Sequence, residues 1–392
     1  MKGTVELMMA LIRRAIDEQY TLDMASIDTS EGALEELYKL SCMHDTCHLV
    51  ACALEKAGKL PHSAAGEKLR RHMILAAYRY EGQNYELSRV CAALESAGIC
   101  HVPLKGSVLR EQYPEPWMRT MSDLDVLVKR EDLEAAGRVL TEQLDYTLRE
   151  SGSHDMSFNS AGGVNVELHY RLGDEETAMA IGQKATRLLD GAWDFARKTE
   201  GSDYRYTLND EFFYFYHIAH TAKHVMNGGC GVKPFIDLYY LDRKSDIDAQ
   251  KRTALIGEAG LSTFVECLER LLDVWFEGGE RDPMISDFES YVITGGVYGT
   301  TQNKLTVEQG RRKGKFAYVW MRIFLPYDYL KYYYPILQKH RWLTPFCEVA
   351  RWFGIVFGGG FYKAKRVFKI SSDISPEQAA KTTNLMRDIG LM

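Results

Sequence analysis

The stretch PLKGSVLREQYPEPWMRTMSDLDVLV, residues 103–128, decides the fold. A short apolar run leads into Gly106 and Ser107, and a second apolar run begins with Asp123 and Asp125. Side chains alternate across a β-strand, so both aspartates face one side while the apolar residues between and after them face the other. Two carboxylates on one strand face repel each other unless a cation lies between them. The stretch therefore predicts a half-buried strand with a cation-binding face.

The sequence VNVELHY, residues 164–170, repeats this alternation. Its valines and leucine face one way, while Asn165, Glu167 and His169 face the other. If the two strands are neighbours, Glu167 joins the two aspartates in one acidic cluster. Mg²⁺, or Mn²⁺ in its place, binds a few carboxylates together with phosphate oxygens of a substrate. Two such ions hold the attacking and leaving oxygens of an in-line phosphoryl displacement.

The Gly-Ser pair suits a phosphate, because it lies between a short strand, HVPL, and a short helix, SVLREQY. Gly106 lets the backbone approach a phosphate without an intervening Cβ. Ser107 and the helix N-terminus offer hydroxyl and N–H donors. Arg119 lies just before the aspartate strand, where it either holds a carboxylate in place or contacts a phosphate. For Lys105 a surface role is an equal alternative to a role in the site.

The chain as a whole predicts an α+β fold, a small mixed β-sheet flanked by N- and C-terminal all-helical regions. Helical periodicity covers 1–94, an α/β core covers 95–202, and helical periodicity returns over 203–392. Within the core, SAGG is a hairpin turn between two strands. Gly58 and Gly98 stand where helices end, and Asn209 or Asp210 stands where one begins.

A cysteine- and histidine-rich stretch, CMHDTCH, has side chains that suit zinc: Cys42, His44, Cys47 and His48. The spacing fits no familiar zinc pattern, and on a helix Cys42 and His44 point about 200° apart. Packing between helices is the preferred interpretation.

A second histidine group, His217, His220 and His224, shares one helix face. This face either contacts substrate phosphate or base, or it holds ordinary core histidines. Lys233 and Asp237 either form an i, i+4 pair or leave Lys233 to contact phosphate as a point charge.

Composition narrows the function classes. The 392 residues carry a net charge of −6 with a pI near 6.0, which argues against a general nucleic-acid binder. Eight cysteines without a CxxC pair favour free thiols in a reducing compartment, so we expect a cytoplasmic protein without a transmembrane segment. The aromatic, basic stretch 316–343 is expected to pack between helices, with contact to a membrane surface as the alternative.

Taken together, these motifs resemble the nucleotidyltransferase superfamily that includes DNA polymerase beta. More narrowly, residues 102–128 followed by VELHY resemble the uncharacterised bacterial nucleotidyltransferase family. Its members read Leu-Lys-Gly, then Tyr-Pro, Arg, Ser-Asp-Leu-Asp and Glu-Leu-His-Trp. Tyr170 stands where the family has Trp. GGCGVKPFIDL, residues 228–238, is similar to the family's Gly-Gly-x-Gly followed by a basic residue, more often Arg, and Asp.

The resemblance implies that Asp123 and Asp125 bind metal and that Glu167 is a metal ligand or general base. It implies transfer of a nucleoside monophosphate from an NTP, with ATP expected, to an unidentified acceptor. The alternative is a catalytically silent nucleotide-binding regulatory or accessory protein. The expected nucleotide contacts are Lys105, Gly106, Ser107, Arg119, His169, His220, His224, Lys233 and Asp237.

Overall fold

The computed structural model has a small mixed β-sheet in a mostly helical chain, which confirms the predicted α+β class. It describes residues 2–152, 154–243, 247–297, 299–311, 334–357 and 369–392, together with residues 320, 324, 325, 327 and 330. The strands are β1 His101–Pro103, β2 Asp123–Val128, β3 Thr147–Ser151, β4 Asp155–Asn159, β5 Asn165–His169, β6 Ala196–Lys198 and β7 Tyr206–Leu208.

Along the sequence, helices both precede and follow the strands of the sheet. They are α1 Lys2–Ile16, α2 Glu31–Met43, α3 Cys47–Lys56, α4 Ala64–Ser96, α5 Gly106–Leu109, α6 Leu133–Arg138, α7 Glu175–Ile181, α8 Gln183–Asp190, α9 Asp210–Met226, α10 Lys233–Asp242, α11 Ala249–Ala259, α12 Ser262–Leu272, α13 Pro283–Gly295, α14 Thr301–Arg311, α15 Thr344–Phe357 and α16 Pro376–Asp388.

The main sheet has the order β1-β2-β5-β4-β3. Strands β2 and β5 run parallel, and the other neighbouring pairs run antiparallel. In the parallel pair, Asp125 lies opposite Glu167 and Leu127 lies opposite His169. The two strands with polar faces are therefore neighbours, and the acidic residues lie side by side.

One face of the sheet is covered by the long helix α4 and by α6. Leu124, Val126 and Val128 are each 0% exposed, as the alternation in β2 predicts. They share a core with β5 and with one face of α4; its members include Leu87, Val90, Leu94, Phe158, Val166 and Leu168. Because this face is apolar, the carboxylates of β2 and β5 must point to the opposite side.

A second, larger core joins the helices that precede the sheet to those that follow it. It contains residues of α1 and α3 as well as residues of α9, α10 and α13, among them Met8, Leu49, Phe212, Phe235 and Phe288. Side chains distant in sequence thus pack in one continuous cluster. The division of the chain at residues 94 and 202 into three domains stays a prediction.

Several local predictions are confirmed. Gly58 and Gly98 follow α3 and α4 with φ of +64° and +70°, the left-handed conformation common after a helix end. Asn209 caps α9, because its side chain accepts a hydrogen bond from the Phe212 N–H. Strands β4 and β5 are joined at residues 160–163 as a hairpin. The small β6–β7 ladder was not anticipated.

The aromatic, basic stretch 316–343 lies largely outside the described residues. Within its described part, Leu330 and Leu337 are buried in a small cluster, and Tyr327 and Tyr334 pack against it. Trp342 is 69% exposed, so the described residues show packing at only part of the stretch. In the part of the chain that the structure describes, no helix combines the length and the apolar character needed to cross a membrane.

A buried hydrogen bond ties the start of β3 to α4. The Tyr146 hydroxyl donates to Glu86 Oε2 over 2.7 Å, and Tyr146 is 4% exposed. Arg89 Nη1 contacts the same oxygen at 3.0 Å. Burial, together with the hydrogen bond to Glu86, raises the pKa of Tyr146, so its hydroxyl stays a donor. This contact holds α4 against the sheet that carries the carboxylates.

We predict that Tyr146→Phe lowers the free energy of unfolding by about 1 kcal/mol, because one buried hydrogen bond is lost while Arg89 still contacts Glu86. Urea unfolding followed by circular dichroism measures the change. Tyr85→Phe is the matched control, since Tyr85 lies on the same helix with its side chain 64% exposed. Equal stability of the two variants would contradict the role of this contact.

Candidate active site

The carboxylate face of the sheet opens into a cleft of about 650 Å³. The walls come from β2, β5, the turn before α5, the α2–α3 connection, α9 and α10. The cleft is lined by these residues singled out from the sequence: Lys105, Gly106, Arg119, Asp123, Asp125, Glu167, His169, His217, His220, His224, Lys233 and Asp237. Lys105 and Asp237, the first and last of these residues, are 132 positions apart in sequence and share one cavity.

Asp125 is deeply buried in the cleft, with 3% exposure. Its Oδ1 accepts hydrogen bonds from Lys105 Nζ and from His169 Nε2, each over 2.7 Å. Burial alone would raise the pKa of Asp125, but Lys105 and His169 outweigh it and lower the pKa. Burial lowers the pKa of Lys105, but Asp125, Tyr216 and Asp123 together outweigh burial and raise it. Asp125 is thus ionised at neutral pH.

Glu167 and Asp123 sit on the same side of the sheet in different electrostatic settings. His169 lies 3.5 Å from Glu167 Oε2, and this hydrogen bond lowers the pKa of Glu167. The pKa of Asp123 is raised, first by burial and then by the charge of Asp125. The effect of like-charge repulsion within the acidic cluster therefore falls on Asp123, and a bound cation would relieve this repulsion.

The backbone of Lys105 is strained. This residue has φ of +49° and ψ of −124°, a backbone conformation that residues other than glycine rarely adopt. The turn directs the ammonium group onto Asp125 instead of toward solvent. The structure thus places Lys105 in the site, where the sequence left a surface role equally open.

Gly106 and Ser107 have contacts within the chain. A Cβ on Gly106 would lie 2.9 Å from Met121 Sδ and 3.2 Å from Met121 Cβ, so the close approach there is to a side chain. The Ser107 hydroxyl donates to the Leu104 carbonyl over 2.6 Å and is buried. Gly106 lines the cleft, whereas the Ser107 hydroxyl serves the turn itself.

Arg119 anchors the loop before β2 to α10. Its Nε and Nη2 donate to the two oxygens of Asp237 over 2.7 and 2.8 Å, and its Nη1 donates to the Thr120 carbonyl. The Tyr113 hydroxyl donates to Asp237 Oδ1 over 2.8 Å. Burial would raise the pKa of Asp237, but Arg119 outweighs it and lowers the pKa. Arg119 thus holds a carboxylate, one of its two predicted roles, although Asp237 was itself predicted to contact nucleotide.

Lys233 and Asp237 have different partners, although their spacing suggested a helix pair. Lys233 Nζ lies 2.6 Å from Asp45 Oδ2 in the α2–α3 connection. The same oxygen accepts a hydrogen bond from the Thr120 hydroxyl over 2.8 Å. Burial lowers the pKa of Lys233, partly offset by Asp45. Asp45 therefore links α10 to the loop before β2.

The glycines of GGCG have a steric role next to Lys233. Gly228 and Gly229 have φ of +115° and +135° and contact the backbone of the connection between α13 and α14. A Cβ on Gly299 would lie 2.4 Å from the Gly228 carbonyl carbon. The Gly228 carbonyl accepts hydrogen bonds from Thr300 N and Asn303 Nδ2 over 3.2 and 3.1 Å. This backbone-to-backbone contact holds the start of α10 against the cleft.

The three histidines of α9 line the cleft together. The His217 ring contacts the Pro234 carbonyl at 2.8 Å, and His224 Nε2 lies 3.2 Å from His220 Nε2. Burial lowers the pKa of each, that of His224 to about 4. They are therefore neutral at physiological pH, and they offer hydrogen bonds without positive charge.

The cleft residues that sequence reasoning missed include Asp45, Arg79 and Tyr216. Arg79 is exposed on α4, and in the described part of the chain no ion pair or hydrogen bond occupies it. Asp45 lies in CMHDTCH, a stretch in which only the cysteines and histidines were considered, as zinc ligands. Its φ of +52° is visible only in the structure. No local pattern distinguishes Arg79 from the other basic residues of its helix.

The acidic cluster has the chemistry of a site for Mg²⁺ or Mn²⁺. Oxygens of Asp125 and Glu167 and a ring nitrogen of His169 lie within 4.8 Å of one another. Both hydrogen bonds to Asp125 end on Oδ1, which leaves Oδ2 for a ligand. Because the cluster combines carboxylate oxygens with a raised pKa at Asp123, its residues fit a hard divalent cation.

Comparison with known proteins agrees with this geometry. No curated protein matched the chain. A family described as uncharacterised nucleotidyltransferase matches residues 30–277, which include the main sheet and every cleft residue named above. The chain therefore belongs to the family of uncharacterised nucleotidyltransferases.

Proposed function

We propose that the chain transfers a nucleoside monophosphate from an NTP, with ATP as the expected donor, to an acceptor hydroxyl or phosphate, and releases pyrophosphate. The observation that carries this proposal is the parallel pairing of β2 and β5. It puts Asp125 opposite Glu167 on the cleft face, with Asp123 two residues before Asp125. Family membership supports a nucleotide as substrate.

Asp123, Asp125 and Glu167 would hold Mg²⁺ or Mn²⁺. Such an ion, when bound, neutralises phosphate oxygens and orients the donor for in-line displacement. Lys105 and His169 keep Asp125 ionised, and Lys105 holds it in one orientation. Asp125 is thereby charged and fixed before any ligand arrives, which limits the reorganisation required during the reaction.

The cations of the cleft would bind the triphosphate. Arg79 projects from α4 with a guanidinium suited to paired hydrogen bonds with phosphate. Lys233 contributes a point charge from α10, tempered by its contact with Asp45. The neutral histidines of α9 add hydrogen-bonding groups for the base or sugar.

Glu167 would act on the acceptor. Its lowered pKa keeps the carboxylate ionised at neutral pH, as both of its proposed roles require. It accepts the proton of the attacking hydroxyl, or it completes the carboxylate set that binds the second ion. The lower pKa makes Glu167 a weaker base, which favours the second role.

A pyrophosphate-release screen tests the proposal. Each NTP is combined with Mg²⁺ or Mn²⁺ and with acceptors that carry hydroxyl or phosphate groups. Release that depends on both metal and acceptor supports a transferase. Nucleotide binding without release for any acceptor favours the regulatory or accessory alternative.

We place the protein in the cytoplasm, because its eight free cysteines suit a reducing compartment.

We predict that Asp123→Asn lowers Mg²⁺-dependent NTP affinity by at least about ten-fold. The raised pKa of Asp123 shows that its charge is disfavoured in the fold, so this variant keeps or gains stability. Calorimetry with a non-hydrolysable NTP, with and without Mg²⁺, measures affinity, and thermal melting measures stability.

Asp125→Asn separates structure from metal binding. This variant leaves Lys105 and His169 without their shared counter-charge, so we expect a lower melting temperature as well as weaker binding. Unchanged NTP affinity in folded Asp123→Asn protein would contradict the metal site.

We predict that Glu167→Gln slows single-turnover transfer by about 10²–10⁴-fold. NTP affinity should change far less, because both aspartates and the cations of the cleft remain. The measurement compares the transfer rate with equilibrium NTP binding for a working acceptor. Transfer at the parental rate would remove Glu167 from the mechanism.

We predict that Arg79→Ala weakens NTP binding about ten-fold, the loss expected for one charge-assisted contact to phosphate. Arg71→Ala is the matched control, because Arg71 is exposed on the same helix and does not line the cleft. The difference between the two variants should shrink for the nucleoside monophosphate, which lacks the outer phosphates. Equal effects of both substitutions would argue for a general charge effect.

A further inference from the structure

A cluster of two cysteines and a histidine forms where α2, α3 and α4 meet. Cys42 Sγ lies 3.0 Å from Cys47 Sγ and 3.7 Å from His72 Nε2, and all three atoms lie within 4.8 Å of one another. His44 and His48, which are adjacent in sequence, instead contact the carbonyls of Ile293 and Met118. The ligand set is therefore not the one that sequence spacing suggested.

The two cysteines already share a hydrogen bond, which the Cys47 thiol donates to Cys42 Sγ. Metal binds cysteine as the thiolate, so an ion between the two sulfurs would take the place of the shared proton.

The distances are close to those of a tetrahedral zinc site. Zinc bonds to sulfur and to imidazole nitrogen place two sulfurs about 3.8 Å apart and a sulfur and a nitrogen about 3.6 Å apart. The pair Cys42–His72 already matches at 3.7 Å. The sulfurs must separate by less than an ångström, which a rotation of the Cys47 side chain supplies; its sulfur is held by Ser41 Oγ at 3.2 Å.

We propose that Cys42, Cys47 and His72 bind a Zn²⁺ ion. Binding replaces the protons of both thiols, and soft sulfur ligands favour zinc over the hard cations suited to the carboxylates. Three protein ligands leave a fourth position for water or a ligand atom. Cys42 lines the cleft, so this fourth position is open to it.

Zinc at this position constrains one wall of the cleft. Cys42 and Cys47 lie on either side of the connection between α2 and α3. That connection contains Asp45, which contacts Lys233 and Thr120. Joining α2, α3 and α4 through one ion fixes where Asp45 lies. Zinc would therefore raise the thermal stability of the chain.

The test is a Co²⁺ titration of the reduced, full-length Asp123→Asn variant, in which the carboxylate site is weakened. Thiolate-to-cobalt charge-transfer absorption reports cysteine ligands, which carboxylates cannot produce. We expect one equivalent of Co²⁺, displaced by Zn²⁺, and a higher melting temperature in Zn²⁺. His72→Gln and Cys47→Ser should each weaken binding by about ten-fold or more. Cys100→Ser, outside the cluster, is the control.

Three results would overturn the proposal. The first is the absence of the charge-transfer band in reduced protein, and the second is a band that is equally strong in His72→Gln. The third is a Cys42–Cys47 disulfide that forms in air while the reduced chain binds no Co²⁺. Because His72→Gln leaves both cysteines in place, it keeps the test decisive even if Cys47→Ser fails to fold.

Discussion

A buried carboxylate is stable only beside a compensating positive charge, and this fold is arranged around one such carboxylate. Asp125 is 3% exposed and receives Lys105 from one side and His169 from the other. Removing one partner of a buried pair typically costs about 3–5 kcal/mol. The pairing of β5 beside β2 supplies the histidine, and the strained turn supplies the lysine. Strand register, turn conformation and electrostatics therefore depend on one another.

The cleft walls are held by polar contacts between distant segments. Arg119 binds Asp237 across 118 positions, and Lys233 binds Asp45 across 188. Each of these contacts uses charged groups on both sides, and in the first the Asp237 side chain is buried, so each is specific about its partner. The glycine contact between Gly228 and Gly299 adds a steric constraint that no larger residue satisfies. The acidic cluster is thus framed by elements that are positioned independently of any ligand.

Much of this architecture could be predicted from local pattern. Alternation in β2 and β5 gave the buried and polar faces, since strand periodicity depends only on neighbouring residues. The ion-pair partners of Lys233 and Asp237 could not be predicted. Their i, i+4 spacing indicates a pair within one helix, whereas their actual partners, Asp45 and Arg119, come from distant parts of the chain. Arg79 could not be recognised for the same reason. The conformation of Lys105 at φ +49° runs against local preference, and only the buried Asp125 explains it.

The long sequence separation between the cleft walls has a consequence for biosynthesis. A chain emerging from the ribosome carries the acidic strands well before it carries α10, which supplies Lys233 and Asp237. Until α10 has been made, Arg119 lacks Asp237 and Asp45 lacks Lys233, and contacts so distant in sequence form late. A nascent or truncated chain therefore exposes a carboxylate face without its enclosing wall. The cleft can therefore be completed only after translation has passed residue 242, the end of α10.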